Sequence, residues 1–453
     1  MKIVVFGTGK AYRENKDRLD STDEIIAFLD NDQNKQGAFL EHIAIYPPEK
    51  VQDLDYEKIV IMSDFAVEMR EQLLALGCPL DSVIHYREYF SEKCKDVFCK
   101  ELDGEERKRS CLIITSKLGY HGGAMVAVYA ARALMQRGYK AVIASPAGDD
   151  RFIEEFRKTG IVFVVNRNLA YLKWNQLTWV RAFEKIIVNT YPMILCALEI
   201  GRHRAVSVWL HESDNMYPSM QYWINSISES VHQKNIKLYA VSSNARQNFI
   251  KNVTECDIDI LPYGIPDTGE SGCGQGEILR FAVIGSIHPI KMQLFFLQTL
   301  EEMKKDRLEY TEFSIIGRAE DKAYAESVYQ MVETMENVHI ISELQRKEMD
   351  EIYDQIDVVV IPSMYETLSI VGTEAMMNGK ICIVSDSTGI AKFITPGKNG
   401  FVFRNGDKED LADKIALCIE HRGKSQNIGR NARKVYEANF TLEKMGDRLE
   451  GLS

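Results

Sequence analysis

No stretch of this 453-residue chain comes near the ~20 consecutive apolar residues that a membrane-crossing helix needs, so nothing in it is expected to span a bilayer. The opening residues, Met1-Lys2-Ile3-Val4-Val5-Phe6, run straight into a strand pattern, and no signal peptide is expected. The nine cysteines, at 78, 94, 99, 111, 196, 256, 273, 382 and 418, include no Cys-x-x-Cys pair. Cys111, Cys196 and Cys382 lie inside apolar runs, where thiols act as small hydrophobes. That usage points to a reducing compartment and a cytoplasmic protein. The chain also lacks a basic excess. Its net charge of −11 argues against a nucleic-acid partner, because phosphate backbones are bound by concentrated positive surface. What is present is ample for folding. Hydrophobic residues make up 45% and charged residues 27%, and the length suits about three domains of ordinary size.

The first of these domains is read over 1–98. Lys2 to Phe6, Glu24 to Leu29, Ile59 to Met62 and a short run near Ser82 to His85 are strands, with a helix reaching Leu76. This alternation is Rossmann-like α/β. Gly7-Thr8-Gly9 with Asp30 about twenty residues later is part of a dinucleotide fingerprint, but Tyr12 stands where a third glycine would follow. A structural or regulatory role is therefore favoured over cofactor binding. Asp30-Asn31-Asp32 has the spacing of a divalent-metal chelate, yet Gln33-Asn34-Lys35-Gln36-Gly37 continues it as a polar turn, and the turn is the better reading. No metal and no cofactor are expected.

The charged run over 100–109 reads as a solvated linker into a second domain, 110–266. Cys111 to Thr115 is its first buried strand. Gly122-Gly123 then precede a helix of small apolar residues and would let a substrate approach the backbone N–H groups. Ala205 to Leu210 is a strand, and His211 stands just after it, expected to face the cleft. The stretch Trp174 to Ile187, with Trp174, Trp179 and Phe183 among basic residues, is expected to be an amphipathic core helix rather than a bilayer contact.

Asp267 to Gly276 holds four glycines and reads as a hinge. It leads to a third domain over 277–453, whose last helix is expected to return to the second. The most informative residues of the chain lie here. Ile356 to Ile361 is a buried parallel strand, Asn378-Gly379 a helix stop, and Ile381 to Val384 the next strand. Between them, Glu366 and Glu374 flank the start of a short helix at the carboxyl end of the sheet, where open α/β sheets bind ligands. Backbone N–H groups around Thr367, Leu368, Ser369, Ile370 and Val371 can hold a diphosphate. One carboxylate can then accept from ribose hydroxyls and the other from a sugar. That is a nucleotide-sugar site without a metal.

These residues resemble the donor-binding signature of glycosyltransferase family 4. The likeness rests on the glutamate pair together with Pro362-Ser363, Glu374-Ala375-Met376, Gly379, Thr388-Gly389 and Pro396-Gly397-Lys398-Asn399-Gly400-Phe401, and it extends over Cys111 to about Thr441. The resemblance implies the GT-B architecture of two facing Rossmann-like domains, here preceded by the small Rossmann-like domain. It implies a metal-independent, configuration-retaining transferase of the hexosyltransferase type. It also implies roles. His211 would contact the donor sugar or reacting centre. Lys291, six residues after Gly285, would face the diphosphate. Many members carry Arg directly after that glycine, where this chain has Ser286, and Arg318 is a second candidate for the missing charge. Glu366 would orient the sugar and Glu374 hold the ribose. The implied partners are a nucleotide-sugar donor and a saccharide or lipid-linked saccharide acceptor in surface polysaccharide or glycoconjugate synthesis. Peripheral contact with the inner face of the membrane is a further expectation. A non-catalytic partner subunit of the same fold and a sugar phosphorylase are the alternatives.

Overall fold

Apolar, β-branched runs that are buried on both faces become parallel strands, and three such sheets organise this chain. The computed structural model describes all residues except 64, 94–107, 218–227, 229–230, 273–275, 305–307, 343, 345 and 453. Most of the charged linker expected over 100–109, and Cys94, Cys99 and Cys273, therefore lie outside the described residues.

The first sheet is built from β1 (Lys2–Phe6), β2 (Glu24–Leu29), β3 (Phe39–Leu40), β4 (Ile43–Tyr46), β5 (Lys58–Ile61) and β6 (Val83–His85), in the order β3-β4-β2-β1-β5-β6. Period-two alternation divides its side chains between two cores. Val4, Phe6, Leu29 and Ile61 pack on one face, and Ile3, Val5, Phe28 and Val60 on the other. The hairpin β3–β4 was not legible in the sequence. It turns through Glu41 and His42, both at positive φ (53° and 69°), a geometry usually announced by Asn-Gly.

The second sheet has seven parallel strands: β7 (Ser110–Ile114), β8 (Lys140–Ser145), β9 (Val162–Val165), β10 (Lys185–Val188), β11 (Val206–Leu210), β12 (Ile236–Ala240) and β13 (Ile258–Ile260). Their order is β13-β12-β11-β10-β7-β8-β9, so the direction of winding reverses between β7 and β10. The segment from Trp174 to Ile187 is not the helix expected. It forms two short 3-10 turns, Trp174–Gln176 and Thr178–Ala182, and then enters β10. The extended backbone at Phe183 starts the β-branched run that completes the sheet. Its aromatics do serve the core: Trp179 and Phe183 are buried, and Trp174 stacks on His203.

The third sheet comprises β14 (Leu279–Ile284), β15 (Thr311–Ile316), β16 (Val338–Ile341), β17 (Val358–Ile361), β18 (Ile381–Ser385) and β19 (Phe401–Phe403), in the order β16-β15-β14-β17-β18-β19. Here the winding reverses between β14 and β17. The chain then returns. Helix Leu442–Glu450 packs on helix Gly122–Met135, and Arg137 binds Asp447 and the Glu443 carbonyl. The segment read as a hinge is pinned at several points: Arg433 grips both carboxylate oxygens of Asp267, and Gly272 N–H donates to Asn378 O. Among the described residues no helix is long and apolar enough to cross a membrane.

Candidate functional site

The reversal points of the second and third sheets face one another across a crevice of about 370 Å³. Each wall follows from a strand end. On the second-sheet side, β7 leads to Gly122 and Gly123 at the start of their helix, and β11 leads to His211 and Ser213. On the third-sheet side, β14 leads to Lys291, and β17 leads to Tyr365, Glu366, Thr367, Ser369, Ile370 and Val371. Tyr263 enters from the crossing segment between the two domains.

Lys291 Nζ lies 2.6 Å from Glu366 Oε1, and Ser363 Oγ donates to the same oxygen at 2.8 Å. Burial alone would raise the carboxyl of Glu366. The ammonium of Lys291 and the hydroxyls of Ser369 and Ser363 outweigh it and hold the group below its ordinary value, so Glu366 is a carboxylate.

The loop that carries Glu366 is held by backbone contacts. Gly389 N–H donates to Glu366 O at 3.0 Å, and Ile390 N–H to Leu368 O at 3.0 Å. A Cβ at Gly389 would sit 1.9 Å from Thr367 O, so only glycine permits this approach. Ser369 takes φ +116°, outside the usual range for a residue with a side chain. It caps helix Ile370–Met377 by accepting from Gly372 N–H at 3.2 Å. The first-turn amides of that helix have no partner one turn back, which makes the terminus a natural seat for an anion. Across the crevice, Ser242 Oγ donates to Thr367 O, and Asn244 Nδ2 to Ser387 O at 2.9 Å, joining the two walls.

His211 sits opposite, its ring parallel to that of Tyr263 at 6.4 Å between centroids. Burial pushes its imidazole down to about 3, so it is neutral, and its buried Nε2 has no hydrogen-bond partner among the described residues. Beneath it, Glu212 accepts from the amides of Tyr191 (2.8 Å) and His211 (2.9 Å). Burial lifts Glu212 to about 7 against those hydrogen bonds. Burial and then Glu366 keep the Tyr263 phenol well above its usual range, so it stays protonated.

The structure thus gathers His211, Lys291, Glu366, Thr367, Ser369, Ile370, Val371, Gly122 and Gly123 in one crevice. Four expected residues do not line it. Leu368 is fully buried, with its carbonyl tied to Ile390. Glu374 is 5% exposed and accepts from Tyr353 Oη at 3.3 Å. Ser286 is half-buried, its carbonyl engaged by Gln293 Nε2 at 2.8 Å. Arg318 is exposed on the turn after β15, where its carbonyl accepts from Ile287 N–H. Sequence reasoning missed Val126, Ser213, Tyr263 and Tyr365 as lining residues, and Glu212 beneath. Tyr263 stands in Pro262-Tyr263-Gly264 at the end of the second domain, and Tyr365 directly precedes Glu366; those two positions were the available signals. Among the described residues no group of three or more His, Cys, Asp or Glu is placed to share a metal ion. Asp30 is engaged internally, by Thr8 and by Lys35 at 3.0 Å.

Residues 277–435 match the family model of glycosyl transferases group 1, and residues 1–84 match the model of the C2185-like N-terminal domain. The sulfoquinovosyl transferase SQD2 of Arabidopsis thaliana is 33% identical over 145 residues, which are 31% of this chain and 28% of that protein. The capsular polysaccharide biosynthesis glycosyltransferase CapM of Staphylococcus aureus is 27% identical over 139 residues, 30% of this chain and 36% of that one. The chain therefore spans about a third of the length of these curated relatives. Among solved structures, Anabaena HepE in complex with UDP and glucose aligns with a TM-score of 0.64 at 16% identity, covering 76% of this chain and 98% of that one. WaaG, a glycosyltransferase involved in lipopolysaccharide biosynthesis, aligns at 0.56 with 14% identity, covering 76% and 99%. These likenesses show the fold, the GT-B arrangement of two Rossmann-like domains.

Proposed function

We propose that this protein is a retaining glycosyltransferase that moves a sugar from a nucleoside diphosphate sugar to an acceptor hydroxyl without a metal ion. The observation that carries the reading is the pairing of Lys291 with a largely buried, ionised Glu366 beside the capped start of helix Ile370–Met377. The match of residues 277–435 to glycosyl transferases group 1 covers the same wall. The Anabaena neighbour's complex with UDP and glucose supports a nucleoside diphosphate in such a crevice.

The chemistry follows from charge. As the bond from the anomeric carbon to the diphosphate oxygen breaks, negative charge grows on the leaving group. Lys291 has three donors and spends one on Glu366, so its ammonium can also face a phosphate oxygen. The helix terminus adds backbone N–H groups whose orientation is fixed before the reaction. Glu366 would accept from sugar hydroxyls, and the neutral Nε2 of His211 would meet the sugar from the other domain. The acceptor oxygen attacks on the face that the diphosphate leaves, and the departing phosphate takes the acceptor's proton. No protein base is required. Glu374 lies outside the crevice lining, bonded to Tyr353, and would hold the ribose by turning from that tyrosine toward the crevice. Surface polysaccharide or glycoconjugate synthesis, on a saccharide or lipid-linked saccharide, is the setting proposed, with contact at the inner face of the membrane.

The test is a panel of nucleoside diphosphate sugars scored for protection against thermal unfolding, with each hit then assayed for transfer to saccharide acceptors. Protection by at least one donor, followed by transfer with its anomeric configuration kept, is expected. Protection by none overturns the donor site. Sugar release that needs inorganic phosphate and no nucleotide would make the protein a phosphorylase.

A further inference from the structure

A second and larger cleft, of about 670 Å³, opens where the first domain meets the second, and it shares no lining residue with the crevice described above. The two domains are fastened beside it. Arg18 donates to Asn168 Oδ1 at 2.6 Å and to the Arg167 carbonyl at 3.2 Å. The cleft's volume lies within the range of small-molecule sites, which favour domain boundaries.

Its charge runs against that of the chain. The whole sequence has 55 Lys and Arg against 66 Asp and Glu. Among the described residues the cleft wall reverses this balance, with five cations against three carboxylates. Lys58, Arg70 and Arg87 come from the first domain and Lys173 and Arg202 from the second, so the positive charge converges from both sides. Two of the three carboxylates are committed to donors of the protein. Glu199 accepts from Trp174 N–H and Arg202 Nη1, each at 2.9 Å, and Glu88 accepts from His85 N–H at 3.2 Å. Lys58 spends one donor on the Asp81 carbonyl at 2.7 Å and has two others. Leu80, Leu172, Leu195 and Leu198 supply apolar wall between these charges.

We propose that this interdomain cleft binds a small phosphate-bearing molecule, a phosphorylated sugar or a compound of similar size. A phosphate ester carries up to two negative charges and offsets the net excess of the wall. The ammonium groups of Lys58 and Lys173, one from each domain, suit its oxygens, and Arg202 keeps guanidinium donors beyond the one it gives to Glu199. The apolar wall suits the body that the phosphate is attached to. The protein would then have two anion sites, one for the donor and one at the boundary with the first domain.

The test uses the full-length protein, titrated by calorimetry with inorganic pyrophosphate, glucose 6-phosphate and glucose. It compares wild type, Lys173→Gln, Lys173→Gln with Arg202→Gln, and Lys291→Ala. Glucose 6-phosphate should bind wild type and Lys291→Ala alike, and glucose should not bind. Lys173→Gln alone, at an exposed position, should weaken the phosphate ester about tenfold, and the double variant further. No binding of either phosphate compound would overturn the proposal. So would binding lost in Lys291→Ala and kept in the two cleft variants, because that would place the phosphate in the donor crevice. Failure of the donor site itself would instead show as loss of nucleotide-sugar protection with the glucose 6-phosphate response intact.

Discussion

Lys291 and Glu366 follow two neighbouring strands and close a 2.6 Å ion pair in which both side chains line the crevice and the carboxylate is the less exposed, 13% against 29%. The pair links the fold's reversal point to its chemistry, since one partner holds the other ionised where a donor would arrive.

Lys291→Met should cost stability in a pH-dependent way. With Lys291 present, Glu366 is held below its ordinary value, so the pair stabilises above the carboxylate range and loses that contribution as pH falls through the depressed value. Without Lys291, burial raises the carboxyl, and stability falls as pH rises through the ordinary range. Breaking a fully buried pair costs ~3–5 kcal/mol. The Lys291 side chain keeps 29% exposure, which reduces the expected loss. About 1–3 kcal/mol at pH 7 is predicted, shrinking toward pH 4, as measured by denaturant unfolding at the two pH values. A pH-independent difference would contradict the pairing.

Glu374→Ala should weaken nucleotide binding by ~1.5–3 kcal/mol, the value of hydrogen bonds to a charged acceptor. Tyr353→Phe removes the hydrogen bond to Glu374 and leaves the carboxylate, so it should leave nucleotide affinity nearly unchanged. Equal nucleotide affinity in wild type and Glu374→Ala would reduce Glu374 to a packing role.

Gly389→Ala should displace the Glu366 loop, because the added carbon would meet Thr367 O at 1.9 Å. Donor affinity should drop about tenfold or more, as expected when a site moves from its working geometry, with circular dichroism unchanged. Retention of full donor affinity would show that the loop is not held as described.

His211 gives a pH signature of opposite sign to that of Glu212. The His211 imidazole is pushed down to about 3, so wild type loses stability as pH falls from 6.5 toward that value, at most about 1.4 kcal/mol per pH unit. His211→Gln should lack this acid-side loss. Glu212, raised to about 7, lowers stability as pH rises from its ordinary value to neutrality, and Glu212→Gln should remove that slope. Thermal midpoints from pH 4 to 8 distinguish the two.

Much of this was legible in the residues, for reasons particular to each element. The strands around the site are short, mostly apolar runs rich in β-branched residues and bounded by turn residues, the pattern of buried sheet. Asn378-Gly379 announced the end of the short helix that Glu374 lies on. The pairing of Lys291 with Glu366 is different. It depends on β14 lying beside β17, and sequence order does not give sheet order. Tyr263 reaches the crevice only because the crossing segment is drawn against the terminal helices, where a Cβ at Gly264 would lie 2.3 Å from Thr441 O. Glu212 reads as an ordinary loop acid until Tyr191 and His211 are seen donating to it. The Trp174–Ile187 stretch misled because aromatic spacing resembles a helical stripe even where the chain is feeding a strand.

The central claim is that a nucleoside diphosphate sits against Lys291 without a metal ion. Calorimetric titration of full-length wild type and Lys291→Ala with the best nucleotide-sugar hit, in EDTA, tests it most directly. The account predicts binding to wild type in EDTA and an affinity ~10- to 150-fold lower in Lys291→Ala, the equivalent of one charge-assisted hydrogen bond. Binding that disappears in EDTA and returns with Mn²⁺, or an affinity that Lys291→Ala leaves unchanged, would contradict it.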